Sequence, residues 1–184
     1  MLKKNIFKNK NVVVTGGAGG IGSATCKLFL DYSANVYLVD KDKEKISKIK
    51  KELNNPNLQT FYLDITSERE VKNFYKKISN RKLNINHLIN NAGVATLNLC
   101  KDLSVKEWDL VMSVNLKGMF LMTKYAIPLF NKGSTVLNIS SQAARRAQKF
   151  TSHYSASKMG VIGFTRALAL ELAPDVRVNA ISPG

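Results

Sequence analysis

Val12-Val13-Val14-Thr15-Gly16-Gly17-Ala18-Gly19-Gly20-Ile21-Gly22 decides the fold of this chain. A short β-branched run enters a glycine-rich turn, and a helical pattern over 20–33 leaves it. Two registers fit the glycines. Gly17-x-Gly19-x-x-Gly22 matches the generic dinucleotide pattern, and Thr15-Gly16-x-x-x-Gly20-x-Gly22 a longer-spaced one. In both, residues without Cβ let the backbone turn tightly and approach a pyrophosphate, while the helix N-terminus presents free N–H groups to the anion.

Working outward, the hydrophobic pattern alternates. Buried strands are expected over 11–15, 35–39, 59–63, 87–90, 135–139 and 176–181, rich in Val, Leu and Ile without strict alternation. Helices are expected over 20–33, 42–53, 68–79, 105–129 and 152–172. Strand and helix in alternation imply an α/β fold, a doubly wound parallel sheet of Rossmann type in three layers, α/β/α. The length suits a single domain over 1–184.

Composition narrows the function. No apolar run approaches the ~18 residues of a membrane helix, and the basic N-terminus has no apolar core of a secretory signal. Cys26 and Cys100 make neither a disulfide framework nor a metal-ligand cluster, so no metal is expected and a reducing cytoplasm is the simplest compartment. The net charge of +15 raises a nucleic-acid reading. Lysines interleaved with Asp42, Glu44 and Glu52, without aromatics spaced to stack on bases, favour a solvated basic surface and no nucleic-acid partner.

Asp40 ends the second strand eighteen residues after Gly22. A carboxylate there accepts hydrogen bonds from both adenosine-ribose hydroxyls and repels a 2′-phosphate, favouring NAD over NADP, with Lys41 and Lys43 able to soften the choice. Asp64 follows the third strand, where it either reaches the adenine edge or caps the helix starting near Ser67. Tyr154 and Lys158 are four apart, on one helix face. An ammonium beside a phenol favours the phenolate, which suits Tyr154 as proton donor and acceptor.

Together these residues resemble the short-chain dehydrogenase/reductase family in its compact single-domain branch. The resemblance is carried, in order, by Thr15-Gly16-(x)3-Gly20-Ile21-Gly22, Asp64, Asn90-Asn91-Ala92-Gly93, Asn115, Ser141, Tyr154-(x)3-Lys158 and Pro183-Gly184. It implies Tyr154 as general acid–base, Ser141 as the hydroxyl polarising the substrate oxygen (favoured over Ser140 by spacing), and Lys158 as partner of the tyrosine and binder of the nicotinamide ribose. Asn115 resembles the residue anchoring a water in a proton relay to that lysine, or else an asparagine bonding within its helix. Gly16, Gly19, Gly20, Ile21, Gly22, Asp40, Asp64, Ile65, Asn91, Ala92, Gly93, Pro183 and Gly184 are the implied cofactor contacts, with Tyr154 and Lys158. His153 is a weaker candidate for touching substrate.

Family members usually continue beyond the Pro-Gly pair and carry there a substrate-covering loop and a last strand, so either a fragment or a genuine short form is expected. The implied activity interconverts a secondary alcohol and a ketone by direct hydride transfer with NAD. Arg145 and Arg146 after the serine are compatible with a polar or anionic substrate, and the string around them resembles members acting on sugar alcohols. Alternatives are a 3-oxoacyl thioester reductase using NADPH, or a catalytically silent nucleotide-binding subunit. The helices over 105–129 and 152–172 form the family's usual four-helix contact, which implies a homodimer or homotetramer.

Overall fold

A computed structural model describes residues 3–184. Six parallel strands form one sheet in the order β3-β2-β1-β4-β5-β6. They are β1 Asn11–Thr15, β2 Asn35–Asp40, β3 Leu58–Tyr62, β4 Ile85–Asn90, β5 Phe130–Ile139 and β6 Arg177–Ile181. The crossovers carry α1 Gly20–Asp31, α2 Lys43–Leu53, α3 Glu68–Asn80, α4 Val105–Met112, α5 Met119–Ala126 and α6 Ser152–Leu172.

Alternate residues of the central strands face opposite ways, which splits the core in two. Val12, Val14, Val36 and Leu38 pack on Cys26 and Leu30 of α1 and Ile46 of α2. Val13, Tyr37, Val39, Leu88 and Val136 pack on Val71 and Phe74 of α3, Met122 of α5 and Leu168 of α6. Each such side chain removed from water contributes roughly 1.5–3 kcal/mol, which is why both faces of these strands are apolar.

The chain starts at β1 and winds one way to β3, then returns to β4 and winds the other way. The carboxyl ends of β1 and β4 therefore diverge, opening a crevice at the point of reversal. Thr15 ties that point together: its hydroxyl accepts hydrogen bonds from the N–H groups of Asn91 (3.0 Å) and Ala92 (3.1 Å).

Three expectations need correcting. The strands are not all buried: at the sheet's two edges, β3 and β6 each have one buried residue, Leu58 and Val178, because no further strand covers them. The segment 105–129 is not one α-helix: a π-helical turn, Ser113–Gly118, separates α4 from α5, and a 3-10 turn, Ile127–Leu129, follows. The interruption has a tertiary cause, since Asn115 within it is drawn 21 residues back to Val94. Strands β4 and β5 also begin earlier, at Ile85 and Phe130; these two residues pair, and a register shift follows before His87 pairs with Thr135. Among the described residues no helix is long and apolar enough to cross a membrane.

Candidate active site

The glycine turn builds the first wall of the crevice. Gly16 has φ +61°, and a Cβ there would come within 2.8 Å of Ala92 Cα. A Cβ on Gly22 would collide with the Gly16 carbonyl oxygen and approach Asn91 Nδ2 to 2.9 Å. Gly22 belongs to both registers and Gly16 to the longer-spaced one; a Cβ on Gly17, of the generic register, would be crowded by Leu38 Cγ at 2.5 Å, and Gly20 leaves its Cβ direction open. Helix α1 has no side-chain cap and no acidic residue in its first turn. Its first N–H groups and positive dipole end therefore face the crevice unneutralised, as an anion site requires.

Gly16, Gly19, Gly20, Ile21, Gly22, Asp40, Asp64, Ile65, Asn91, Ala92 and Gly93 all line one cavity of about 500 Å3. The Asp40 carboxylate is fixed: Oδ2 accepts from Ala18 N–H (3.0 Å) and Oδ1 from Asp42 N–H (3.1 Å). Lys41 and Lys45 line the same end. Lys43 does not, because its ammonium lies 4.5 Å from the centre of the Tyr62 ring. Lys45 was not singled out in the sequence; its place in the first turn of α2, just after Asp40, is the signal that could have found it.

Asp64 does not cap α3. Its Oδ1 accepts from Thr66 N–H (2.9 Å) and from the Thr66 hydroxyl (2.8 Å), while Ser67 is the cap, accepting from Glu70 N–H. The turn so formed keeps Asp64 at the cavity.

A second cavity, of about 310 Å3, is lined by Ser141, Tyr154, Lys158, Pro183 and Gly184, with Ala95, Ile139 and Ser140. It shares Ile21, Asn91, Gly93 and Val94 with the first, so the two adjoin. Tyr154 and Lys158 lie one turn apart at the start of α6. Lys158 Nζ sits 5.7 Å from the centre of the Tyr154 ring and donates to the Ile139 carbonyl at 2.9 Å. Burial without a carboxylate partner pushes the Lys158 ammonium down to about 8. The Ser140 hydroxyl donates to the Lys158 carbonyl (2.8 Å), tying β5 to α6. Ser141 Oγ accepts from Ala143 N–H (3.1 Å), an arrangement that keeps its own proton for a ligand.

Asn115 is buried and lines neither cavity. Its Oδ1 accepts from Val94 N–H (2.8 Å), and its Nδ2 donates to the Val94 carbonyl (2.9 Å) and to Ser157 Oγ (3.0 Å). It bonds to a distant loop and not to its own helix. A Cβ on Gly93 would lie 3.3 Å from both Asn115 Oδ1 and Lys158 Nζ, so that bare backbone lets the asparagine and the lysine flank it. His153 is fully buried and faces Thr96 rather than the cavity.

A glycine cradle, an uncapped helix start and a fixed carboxylate at the second strand's end fit a dinucleotide, and a phenol, an ammonium and a hydroxyl meet beside it. This is the layout of a nucleotide-dependent oxidoreductase. The model of the short chain dehydrogenase family matches residues 10–184, and the chain belongs to that family. It is 35% identical over 183 residues to the 3-oxoacyl-(acyl-carrier-protein) reductase FabG of Thermotoga maritima, covering 97% of this chain and 74% of that protein. It is 36% identical over 178 residues to the NAD-dependent glycerol dehydrogenase of Listeria innocua, covering 95% of this chain and 70% of that one. The crystal structure of a glucose/ribitol dehydrogenase-type member from Brucella melitensis superposes with a TM-score of 0.94 at 34% identity, covering 99% of this chain and 77% of that one.

Proposed function

We propose that this chain, acting as one nucleotide-binding domain over 1–184, interconverts a secondary alcohol and a ketone with NAD preferred over NADP. The observation that carries the reading is the convergence of Ser141, Tyr154 and Lys158 on a cavity that adjoins the glycine-lined crevice and shares four lining residues with it. A bound nicotinamide dinucleotide supplies hydride transfer to or from the substrate carbon.

The chain's residues do the rest. The Tyr154 hydroxyl gives a proton to the substrate oxygen in reduction and takes it back in oxidation. Ser141 donates its free hydroxyl proton to the same oxygen and orients it. Lys158 keeps a positive charge near the phenol and, from the cavity wall, reaches the ribose of the cofactor. Asn115 fixes the wall behind Gly93 and stands beside Lys158, the position from which water could feed protons to that lysine. Gly16 to Gly22 admit the pyrophosphate, and Asp64, Ile65 and Asn91 to Gly93 enclose the adenosine end. Pro183 and Gly184 border the reacting end. Asp40 accepts from the ribose hydroxyls with its remaining lone pairs and repels a 2′-phosphate.

A second reading, a 3-oxoacyl thioester reductase using NADPH, draws on Lys41 and Lys45 beside Asp40 and on the acyl-carrier-protein reductase among the relatives. The glycine turn, which holds no basic residue between Gly16 and Gly22, weighs against it. The NAD-dependent glycerol dehydrogenase favours a polyol or similar alcohol as substrate. A second copy of the chain suits the apolar groove of Met112, Leu116, Phe120, Gly160 and Phe164, and we read the protein as a homodimer or homotetramer. Two unpaired cysteines fit the cytoplasm.

Fluorescence titration with NADH and NADPH, followed by a screen of secondary alcohols and ketones, tests the reading. NADH should bind more tightly, and Tyr154→Phe should lower kcat by at least about a hundredfold with little change in NADH affinity. A Tyr154→Phe variant with the wild-type rate would remove Tyr154 from the chemistry; tighter NADPH binding would favour the thioester reductase.

A further inference from the structure

His153 immediately precedes Tyr154 in the first turn of α6 and is fully buried. Its Nε2 lies 2.7 Å from Thr96 Oγ1, 57 residues away in sequence. Its Nδ1 is buried with no protein partner among the described residues. An imidazole with one nitrogen unpaired is a costly way to fill apolar space. Packing alone does not account for a histidine here.

Thr96 belongs to the loop 91–104 between β4 and α4. The same loop brings Val94 and Ala95 to the wall of the cavity that holds Tyr154. On one side Asn115 clasps Val94 through both of its backbone groups. Toward α6 the ties are Thr96 to His153 and the bond from Asn98 N–H to the Phe150 carbonyl (3.0 Å). The Asn98 bond joins the loop to an exposed segment before the helix. The His153 bond joins it to the helix itself, one residue from the phenol.

We infer that His153 is a positioning residue: through Thr96 it sets the separation between the Val94–Ala95 wall and Tyr154, and so aligns the substrate that enters between them. Its action passes through the loop, and its own ring does not touch the cavity. The kinetic part of this inference rests on the proposed alcohol–ketone activity. The structural part does not.

The test compares His153→Leu and Thr96→Val, which remove the bond while keeping volume, with His153→Gln, whose amide nitrogen replaces Nε2. Hydrogen exchange of the 94–98 amides is followed by mass spectrometry on the whole chain, beside steady-state kinetics on an alcohol the wild type turns over. His153→Leu and Thr96→Val should each speed exchange in 94–98 and raise KM about tenfold, the factor that one lost hydrogen bond of ordinary strength gives. Change in kcat and NADH affinity should stay within about twofold on the same scale, the double variant should match the singles, and His153→Gln should recover most of the loss. Unchanged exchange and KM in Thr96→Val, or a Gln variant as impaired as Leu, would overturn the inference. If the wild type oxidises and reduces nothing, the proposed activity fails, and the exchange measurement still decides the latch.

Discussion

Lys158 shows what a buried ammonium costs its fold. Burial holds its ammonium at about 8 against an ordinary 10.5, with no carboxylate to offset the loss of water. Below about pH 8 the lysine is charged both folded and unfolded, and the full desolvation cost is present. Between about 8 and 10.5 the folded form gives up its proton first, so the unfolded chain binds more protons and stability rises with pH. Lys158→Met should therefore stabilise the chain at neutral pH, by something on the order of 1–3 kcal/mol, while abolishing turnover. Urea melts from pH 7 to 10 check it: the advantage of the variant should shrink as pH climbs through that window, and a variant less stable than wild type at pH 7 would contradict it. Tyr154 and Lys158 were legible in the sequence because their relation is local, one helical turn. The tie of His153 to Thr96 was not, because nothing at either position announces a partner 57 residues away.

At the level of elements, four of the five expected helices lie within two residues of the observed ones, while β4 and β5 begin two and five residues earlier than expected. Two of the six strands, β1 and β2, are runs buried between layers along nearly their whole length, and burial on both faces writes itself into composition. The break in 105–129 is of another kind. Its residues keep helical spacing on paper, and the π-helical turn falls where Asn115 bonds the loop after β4. The glycine turn lies between these cases: its place was plain, while its two registers both keep a crowded glycine, Gly17 in one and Gly16 in the other, with Gly22 shared. Gly16→Ala meets both obstacles, a left-handed backbone and a Cβ 2.8 Å from Ala92 Cα. It should cost about 1–3 kcal/mol of stability and weaken NADH binding about tenfold or more, measured by thermal melting and fluorescence titration. Binding and melting equal to wild type would show that the turn relaxes freely.

Charge acts on the molecule as a whole. The net +15 is spread over lysines whose ion pairs all lie on exposed side chains, such as Lys27 with Asp31 and Lys45 with Asp42. Such pairs contribute little, and the excess of one sign opposes compaction. Raising NaCl from about 50 to 500 mM shrinks the reach of that repulsion from more than ten to a few ångströms. The melting temperature should then climb by a few degrees, and a fall would mean that the paired charges outweigh the unpaired ones. The shared rim of the two cavities has a different consequence. Ile21, Asn91, Gly93 and Val94 bound both spaces, which lie side by side. Whatever fills the larger becomes a side of the smaller, so under the proposed function the alcohol meets a finished enclosure only once the nucleotide has come to rest. Arrival and departure then form a queue: the dinucleotide enters first and leaves last.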